Sequence, residues 1–467
     1  MQIVILAAFI VALTLADLAP VVAGNWLVAP ALAMYLAGAA GIGALRTALS
    51  LRAMARRPDC LPGAFRRYRL MTLAAHGWLV AGLAGVVSLG YGRWALDDLR
   101  LGYVPLAGEV VLLCPFAAAL VLSWLLEYPL YRRTRERIAH HQLLAGLPAR
   151  PGWSLAEFLG YNLRHHLLFV AVPVGLILLL TDSLHLLHPY WPSRWADAVT
   201  VGGSLACAGG VFLCAPLLIV RIWQTERLPP GPLRQGLMDL CRQMRLSCRD
   251  LLIWRSGGMI ANAGVMGLIG RVRYVLLTDA LLEHMDEREV RSIFAHEAGH
   301  IVGHHLFYAM LFAVSSVTLC SAGGELLAWA GALPWWAGQA ITLAALLATW
   351  AAGFGWISRR FERQSDVTAA QLGAPGGPDP DGRIPPEGAA IFARSLEHVA
   401  QLNGMAPTQW NWRHGSIAWR VEYVLWLGST AGTRRQIDRT VRRIKLGLWL
   451  ATTVSGVVLA VRLALGV

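Results

Sequence analysis

Residues 286–305 read Asp-Glu-Arg-Glu-Val-Arg-Ser-Ile-Phe-Ala-His-Glu-Ala-Gly-His-Ile-Val-Gly-His-His. Asp286, followed by Glu289 three positions later, has the spacing of a capping box, in which each side chain bonds the other residue's backbone N–H. This spacing predicts a helix that begins near Glu287 and continues through His300. The sequence His-Glu-Ala-Gly-His therefore occupies the last turns of a helix.

Two histidines of this helix have the spacing of metal ligands. His296 and His300 are four residues apart, so both project from one helix face, where two imidazoles can share one tetrahedral zinc ion. Glu297 lies beside them, placed to take a proton from a water that the metal has made acidic. The segment therefore predicts a zinc-dependent hydrolytic site with Glu297 as its general base.

A catalytic zinc site needs a third protein ligand and one open position. His304 and His305 follow closely, but the metzincin pattern HExxHxxGxxH requires a histidine at position 306, where this chain has Leu306. Glu362 and Asp366 lie four apart on a second predicted helix, an arrangement suited to one ligand and one residue that orients a ligand. This acidic pair is therefore the favoured source of the third ligand.

The composition is that of a membrane protein. Hydrophobic residues make up 56% of the 467 positions, and the mean hydropathy is +0.50. The net charge of +13 comes almost wholly from arginines between apolar runs, and no basic and aromatic patch forms a nucleic-acid module, so no nucleic-acid partner is expected. About nine apolar segments are long enough to span a lipid bilayer: 3–23, 27–48, 71–91, 105–126, 163–181, 198–220, 306–330, 335–357 and 446–466.

The arginines predict the orientation in the membrane. They cluster in the loops 49–70 and 127–162, which the positive-inside rule assigns to the cytoplasm. Both large polar regions, 221–305 and 358–445, then lie in the cytoplasm. Two spanning helices separate them, so the chain leaves the cytoplasm and returns, bringing the acidic pair to the side that carries the histidines.

The expected fold is mainly α: a polytopic helical membrane protein with a cytoplasmic zincin-type catalytic domain that contains a small β-hairpin or sheet. The β-branched and aromatic stretch 270–279 predicts one strand, and 262–269 predicts its hairpin partner. The expected domains follow the chain in this order: a membrane domain with six spans (1–220), a catalytic region with the HEAGH helix (221–305), two spans (306–357), a second catalytic region with the third zinc ligand (358–445) and a C-terminal span (446–467).

The ordered set of motifs resembles the integral-membrane gluzincin endopeptidases, which include the CAAX prenyl proteases and the heat-shock protease HtpX. The resemblance extends from about Asn262 to Val421. It differs from the family pattern at Gly415, where a proline is usual, and at Ser365, where an alanine is usual. The matching elements are Asn262-Ala263 before a strand, Leu281-Leu282, His296-Glu-Ala-Gly-His300 with His305 five residues on, two spans, Glu362-Arg-Gln-Ser-Asp366 and His414-Gly-Ser-Ile-Ala-Trp-Arg420-Val421.

The resemblance implies a role for each site residue. It implies one zinc ion per chain, general base and acid chemistry at Glu297, and a histidine-orienting role for Asp366. It also implies that His414 is a candidate oxyanion donor and that an extended substrate adds to an edge strand. The implied zinc ligands are His296, His300 and Glu362, and the implied substrate-binding residues are Asn262, Ala263 and Arg420.

The hypothesis that the sequence favours is a membrane-embedded zinc metalloendopeptidase that hydrolyses peptide bonds of membrane-associated or misfolded proteins. Its expected partners are a peptide or protein substrate and the lipid bilayer. The expected location is a bacterial inner membrane, with the active site facing the cytoplasm. The alternatives are a membrane signal transducer with a zinc-protease-like domain, and a transporter or structural membrane protein. The substrate and the oligomeric state stay open.

Overall fold

The protein is described by a computed structural model. The residues described are 1–18, 25–56, 61–101, 104–144, 151–330, 334–373, 379, 381–430 and 432–465. Parts of the predicted first span (19–23), of the predicted second catalytic region (374–378, 380 and 431) and of the predicted last span (466) lie outside the described residues. The chain divides into two compact units, Met1–Trp223 and Gln224–Val467.

The first unit is a bundle of helices. Its apolar core contains the buried Arg46, which forms an ion pair with the partly buried Glu127, with 3.0 Å between nitrogen and oxygen. The hydroxyl of Tyr68 donates to the same carboxylate at 2.6 Å, so three helices share one polar contact. The helices are α1 (Gln2–Leu18), α2 (Val28–Arg56), α3 (Leu61–Val86), α4 (Ala107–Leu144), α5 (Leu155–Asn162), α6 (Phe169–Leu187) and α7 (Ser193–Ile222).

Eight helical segments among the described residues are long and apolar enough to cross a membrane. About nine spans were predicted. The first of them corresponds to the helix at Gln2–Ala16, which is apolar but shorter and is not one of the eight. The predicted polytopic helical architecture is confirmed. The eight segments are Val28–Arg56, Leu70–Tyr91, Ala107–His140, Leu155–Tyr190, Trp195–Ile222, His305–Leu327, Ile341–Leu372 and Arg435–Arg462.

The second unit combines a four-stranded sheet with nine helices among its described residues. The strands are β1 (Thr225–Arg227), β2 (Asp250–Trp254), β3 (Ala263–Met266) and β4 (Tyr274–Thr278), in the order β1-β2-β4-β3. The helices are α8 (Pro232–Gln243), α9 (Asp279–His284), α10 (Glu287–Val302), α11 (His305–Trp329), α12 (Trp335–Ala348), α13 (Gly355–Leu372), α14 (Pro386–Leu402), α15 (Ile417–Ser429) and α16 (Arg435–Leu465).

The predicted hairpin is present as the antiparallel pair β3 and β4. Its connection contains a short 3₁₀ turn, Gly270–Val272, and depends on a glycine at Gly267. The backbone of Gly267 has a φ of +107°, and a Cβ atom there would lie 2.7 Å from the carbonyl oxygen of Val272. The sheet is larger than the sequence predicted, because β2 pairs with β4 in parallel and β1 pairs with β2.

Helices α10, α13 and α14 pack together around one hydrophobic core. The predicted capping box is present: Asp286 accepts from the backbone N–H of Glu289, and Glu289 accepts from that of Asp286. Phe294 of α10, Val367 of α13 and Phe392 of α14 are buried in the shared core. The predicted span 335–357 and the predicted helix that carries Glu362 and Asp366 are not separate helices. A π-helical turn, Thr349–Phe354, joins α12 to α13, so the helix is continuous.

The backbones of α10 and α13 approach each other closely at Gly299. A Cβ atom on Gly299 would lie 3.0 Å from the Cα atom of Ser365, so the two backbones are nearly in contact. Ser365 is 0% exposed, and its hydroxyl has no hydrogen-bond partner among the described residues. A buried hydroxyl without a partner costs about 1–3 kcal/mol.

We expect Ser365→Ala to leave the free energy of unfolding unchanged or to raise it by up to about 1 kcal/mol, because it removes that cost. Ser395→Ala is the matched control, since Ser395 is equally buried but donates to the carbonyl of Ile391 at 2.7 Å. This control should lower stability. Thermal unfolding in detergent measures both variants, and a lower midpoint for Ser365→Ala would contradict the prediction.

Candidate metal centre

The two histidines of α10 face each other across one helical turn. The Nε2 atoms of His296 and His300 are 3.3 Å apart, and their rings meet edge to face. His296 is buried, whereas His300 is partly open. Two ring nitrogens therefore converge on one point beside the helix, as the four-residue spacing predicts.

Glu362 reaches the same point from α13. Its Oε2 atom lies 3.5 Å from Nε2 of His296, and its Oε1 atom lies 3.5 Å from Nε2 of His300. The three ligand atoms lie within 4.8 Å of one another, and among the described residues no other group of three His, Cys, Asp or Glu side chains has this arrangement. Two imidazole nitrogens with one carboxylate oxygen fit a catalytic zinc ion, which this donor set commonly binds.

Asp366 and Arg420 lie behind these side chains. Oδ1 of Asp366 is 3.0 Å from Nδ1 of His296. The Nε of Arg420 donates to Oδ2 of Asp366 at 2.9 Å, and another of its nitrogens lies 3.4 Å from Oε2 of Glu362. Arg420 is only 7% exposed. The predicted substrate-binding arginine is thus held by the two carboxylates at the base of the site.

These charges perturb the titration of the site. Burial lowers the pKa of His296, but Asp366 and Glu362 outweigh it and raise the pKa to about 9. Burial lowers the pKa of Arg420 as well, and the same two carboxylates reverse that effect, so its pKa is raised. Burial and the neighbouring histidines hold the pKa of His300 well below its usual value, with Glu362 opposing. The pKa values of these two histidines are therefore shifted in opposite directions.

Glu297 has the titration expected of a proton shuttle. Burial raises its pKa to about 7, while the neighbouring His296, Arg420 and His414 partly oppose the shift and Glu362 adds to it. A carboxyl group with a pKa near the working pH exchanges a proton most effectively. The environment of Glu297 thus suits general acid–base chemistry.

His414 lies at the rim of the site, just before α15. Its Nδ1 atom is 2.8 Å from Oε1 of Glu362, and its side chain is 43% exposed. The next residue, Gly415, has a φ of +77°, which proline cannot adopt because its ring fixes φ near −65°. Gly415 therefore allows a backbone turn that the family's usual proline could not form. His414 still reaches the site.

The predicted substrate residues at the hairpin are placed as follows. Ala263 is the first residue of β3, which is an edge strand of the sheet. Asn262 is exposed directly before it, and its backbone N–H donates to the hydroxyl of Thr278 at 2.9 Å. The hairpin thus presents an exposed residue at the start of an edge strand.

The histidines rejected as third ligands point elsewhere. Nδ1 of His304 lies 3.0 Å from the carbonyl oxygen of Ile301. Nδ1 of His305 contacts the outward nitrogen of His300 at 3.0 Å, and its Nε2 contacts Oε1 of Gln364 at 2.9 Å. Sequence reasoning missed these contacts of His305 and Gln364, because neither residue lies at ligand spacing from the motif.

Comparisons with known proteins give the following similarities. Residues 249–385, which include His296, His300 and Glu362, match the model of Peptidase family M48. The crystal structure of S. mikatae Ste24p is similar, with a TM-score of 0.49, 14% identity, and coverage of 85% of this chain and 99% of that chain. A search of curated proteins gives no match.

The HEAGH helix, the matched region and the spanning helices define an integral-membrane metalloprotease. The family that residues 249–385 match, Peptidase family M48, is the membrane gluzincin family that the motifs of this chain resemble. His414 and Arg420 lie beyond the matched residues. Their roles in the site therefore depend on the contacts described above.

We expect Arg420→Leu to destabilise the protein by about 3–5 kcal/mol, because it leaves two buried carboxylates without their counter-charge. Arg255→Leu is the control, since Arg255 and its partner Glu226 are both exposed, with 2.7 Å between nitrogen and carboxylate oxygen. An exposed pair contributes only about 0–1 kcal/mol. Denaturant unfolding in detergent measures both variants, and equal losses would show that the buried position of Arg420 is unimportant.

Proposed function

We propose that this protein is a zinc endopeptidase that hydrolyses peptide bonds of membrane-associated or misfolded proteins. His296, His300 and Glu362 hold one zinc ion per chain. The observation that carries the proposal is the position of Glu362, whose two oxygens each lie 3.5 Å from a ligand nitrogen of α10. The segment His305–Leu327 and most of the segment Ile341–Leu372 lie between His300 and Glu362. The chain must therefore leave this side of the membrane and return to it before these atoms can meet.

When bound, zinc acidifies a water molecule and polarises the scissile carbonyl. Glu297 takes the proton from the attacking water and passes it to the leaving amine, and its pKa of about 7 allows both transfers. Asp366 holds the Nδ1 proton of His296, so that Nε2 presents its lone pair to the metal. Because the water is the nucleophile, no covalent intermediate with the protein forms.

The remaining predicted residues are assigned around this centre. The edge strand that begins at Ala263 binds an extended substrate by backbone pairing, and the exposed side chain of Asn262 contacts the substrate at the start of that strand. His414, which is half-exposed, donates to the developing oxyanion. Arg420 acts on the substrate only indirectly, since it is buried and positions Asp366 and Glu362.

We also propose that the site faces the cytoplasm, in a bacterial inner membrane. This orientation follows from the arginines of the loops 49–70 and 127–162, which the positive-inside rule retains on the cytoplasmic side. Substrates would then reach the site from the cytoplasm or from the inner membrane surface.

Glu297→Gln should abolish proteolysis of an unfolded protein such as casein while zinc remains bound, because the amide cannot accept the proton. General-base catalysis contributes about 10²–10⁴-fold to a rate, so the loss should be of at least that order. Glu287→Gln, in the first turn of the same helix, is the control and should retain activity. Proteolysis by purified Glu297→Gln at the wild-type rate would refute the mechanism.

Glu362→Ala should lower the zinc content of the purified chain well below one ion, because two histidines alone make an incomplete site. Glu387→Ala removes a carboxylate that is exposed on α14 and should keep the full zinc content. Elemental analysis of both variants and of the wild type decides the assignment. Unchanged zinc in Glu362→Ala would exclude Glu362 as the third ligand.

A further inference from the structure

A chain of hydrogen bonds leads from the outward nitrogen of His300 to a carboxylate on the last helix. Nδ1 of His300 lies 3.0 Å from Nδ1 of His305, and Nε2 of His305 lies 2.9 Å from Oε1 of Gln364. The Nε2 of Gln364 donates to Oδ1 of Asp438 at 2.6 Å. Four side chains, one each from α10, α11, α13 and α16, are thus joined in series.

The carboxylate at the far end determines which group donates and which accepts in every hydrogen bond of this series. Asp438 pairs with the guanidinium of Arg434 at 2.6 Å, and a carboxylate can only accept hydrogen bonds. Gln364 must therefore turn its NH₂ group toward Asp438 and its oxygen toward His305. The oxygen accepts the Nε2 proton of His305, which leaves Nδ1 of His305 with a lone pair.

This lone pair in turn fixes the tautomer of His300. Nδ1 of His305 can only accept, so His300 carries its proton on Nδ1 and has a lone pair on Nε2. That Nε2 is the atom that lies 3.3 Å from Nε2 of His296 and 3.5 Å from Glu362. The series therefore leaves the inward nitrogen of His300 in the form that a metal ligand requires.

Packing holds the middle of the series in place. The ring of His305 is buried and stacks in parallel on Phe361, with 4.2 Å between the ring centroids. Gly303 also lies against this ring, where a Cβ atom would be 2.3 Å from Nε2 of His305. Both residues restrict the ring, so its contacts with His300 and Gln364 are fixed by shape as well as by hydrogen bonding.

We propose that Asp438, acting through Gln364 and His305, is a positioning residue that sets the tautomer and orientation of His300 for metal binding. The inference rests on the proposed function, because zinc ligation by His300 is part of it. Asp366 orients His296 by direct contact, whereas two side chains, those of His305 and Gln364, lie between His300 and its supporting carboxylate. Helix α16 thereby contributes to the metal centre without touching it.

Asp438→Asn tests whether the carboxylate of Asp438 sets the donor and acceptor roles along the series. Arg434 will still donate to the side chain at position 438, now to its amide oxygen. The NH₂ group at position 438 will then face Gln364 and force the amide of Gln364 to flip. The reversed series places the proton of His300 on Nε2, against the metal. We expect the zinc affinity of the full-length, metal-stripped protein in detergent to fall about 10–100-fold, the usual effect of losing a residue that orients a ligand.

The double variant Gln364→Glu with Asp438→Asn is the rescue. It moves the carboxylate from position 438 to position 364, where it accepts both from His305 and from the amide now at position 438, so the original direction returns. The net charge and the side-chain sizes are kept. We expect zinc affinity, measured by competition with a chromophoric chelator, to return toward the wild-type value.

Two more variants separate the hydrogen bonds from packing. His305→Phe keeps the stacking on Phe361 but removes both ring nitrogens, and it should weaken zinc binding as Asp438→Asn does. Thr452→Val removes another contact of α16, the hydrogen bond between its hydroxyl and that of Ser315 at 3.0 Å, and should leave zinc affinity unchanged.

Wild-type zinc affinity in Asp438→Asn and His305→Phe would overturn the inference while leaving the proposed function intact. A loss in Asp438→Asn that the double variant does not restore would also overturn it, because the loss would then come from the packing of α16. Failure of the wild type itself to bind zinc would overturn the inference together with the proposed function. The thermal midpoints of the metal-free variants identify any that do not fold.

Discussion

The close contact between α10 and α13 is the constraint on which the candidate site depends. Because Gly299 has no side chain, the backbone of α13 approaches that of α10 almost to van der Waals contact at Ser365. At that separation, a glutamate on one helix reaches two histidines on the other. A larger side chain at either position would move the helices apart and separate the three ligand atoms.

This geometry requires charged groups to be buried, and the surrounding residues compensate for the cost. Glu362 and Asp366 are both buried, and an unpaired carboxylate in such a place is strongly unfavourable. Arg420 pairs with both of them, and His296 contacts both as well. The site is therefore a closed network in which each buried charge has a counter-charge, and the proposed zinc ion would add to that network.

Local patterns made several parts of the fold predictable. The capping box at Asp286 and Glu289 depends on residues three apart, and the β3–β4 hairpin pairs neighbouring segments, so both could be read from short stretches. Apolar runs identified the spanning helices, because lipid requires about 20 apolar residues in a helix. Strands β1 and β2 were missed, since short strands paired with distant segments carry little local signal. The π-helical turn that makes α12 and α13 continuous was also missed, because the sequence marks only the change from apolar to charged residues there, which predicts the end of a helix.

The sequence by itself determined the class of chemistry, since helical spacing alone puts His296 and His300 on one face with Glu297 beside them. It also indicated Glu362 and Asp366 as the acidic partners. Only the tertiary structure decided what surrounds them: that Arg420 lies beneath the two carboxylates, and that His305, Gln364 and Asp438 connect His300 to α16. The physical reason is that side-chain packing in space decides which residues of the four helices form hydrogen bonds. The spacing of these residues in the sequence does not predict that packing.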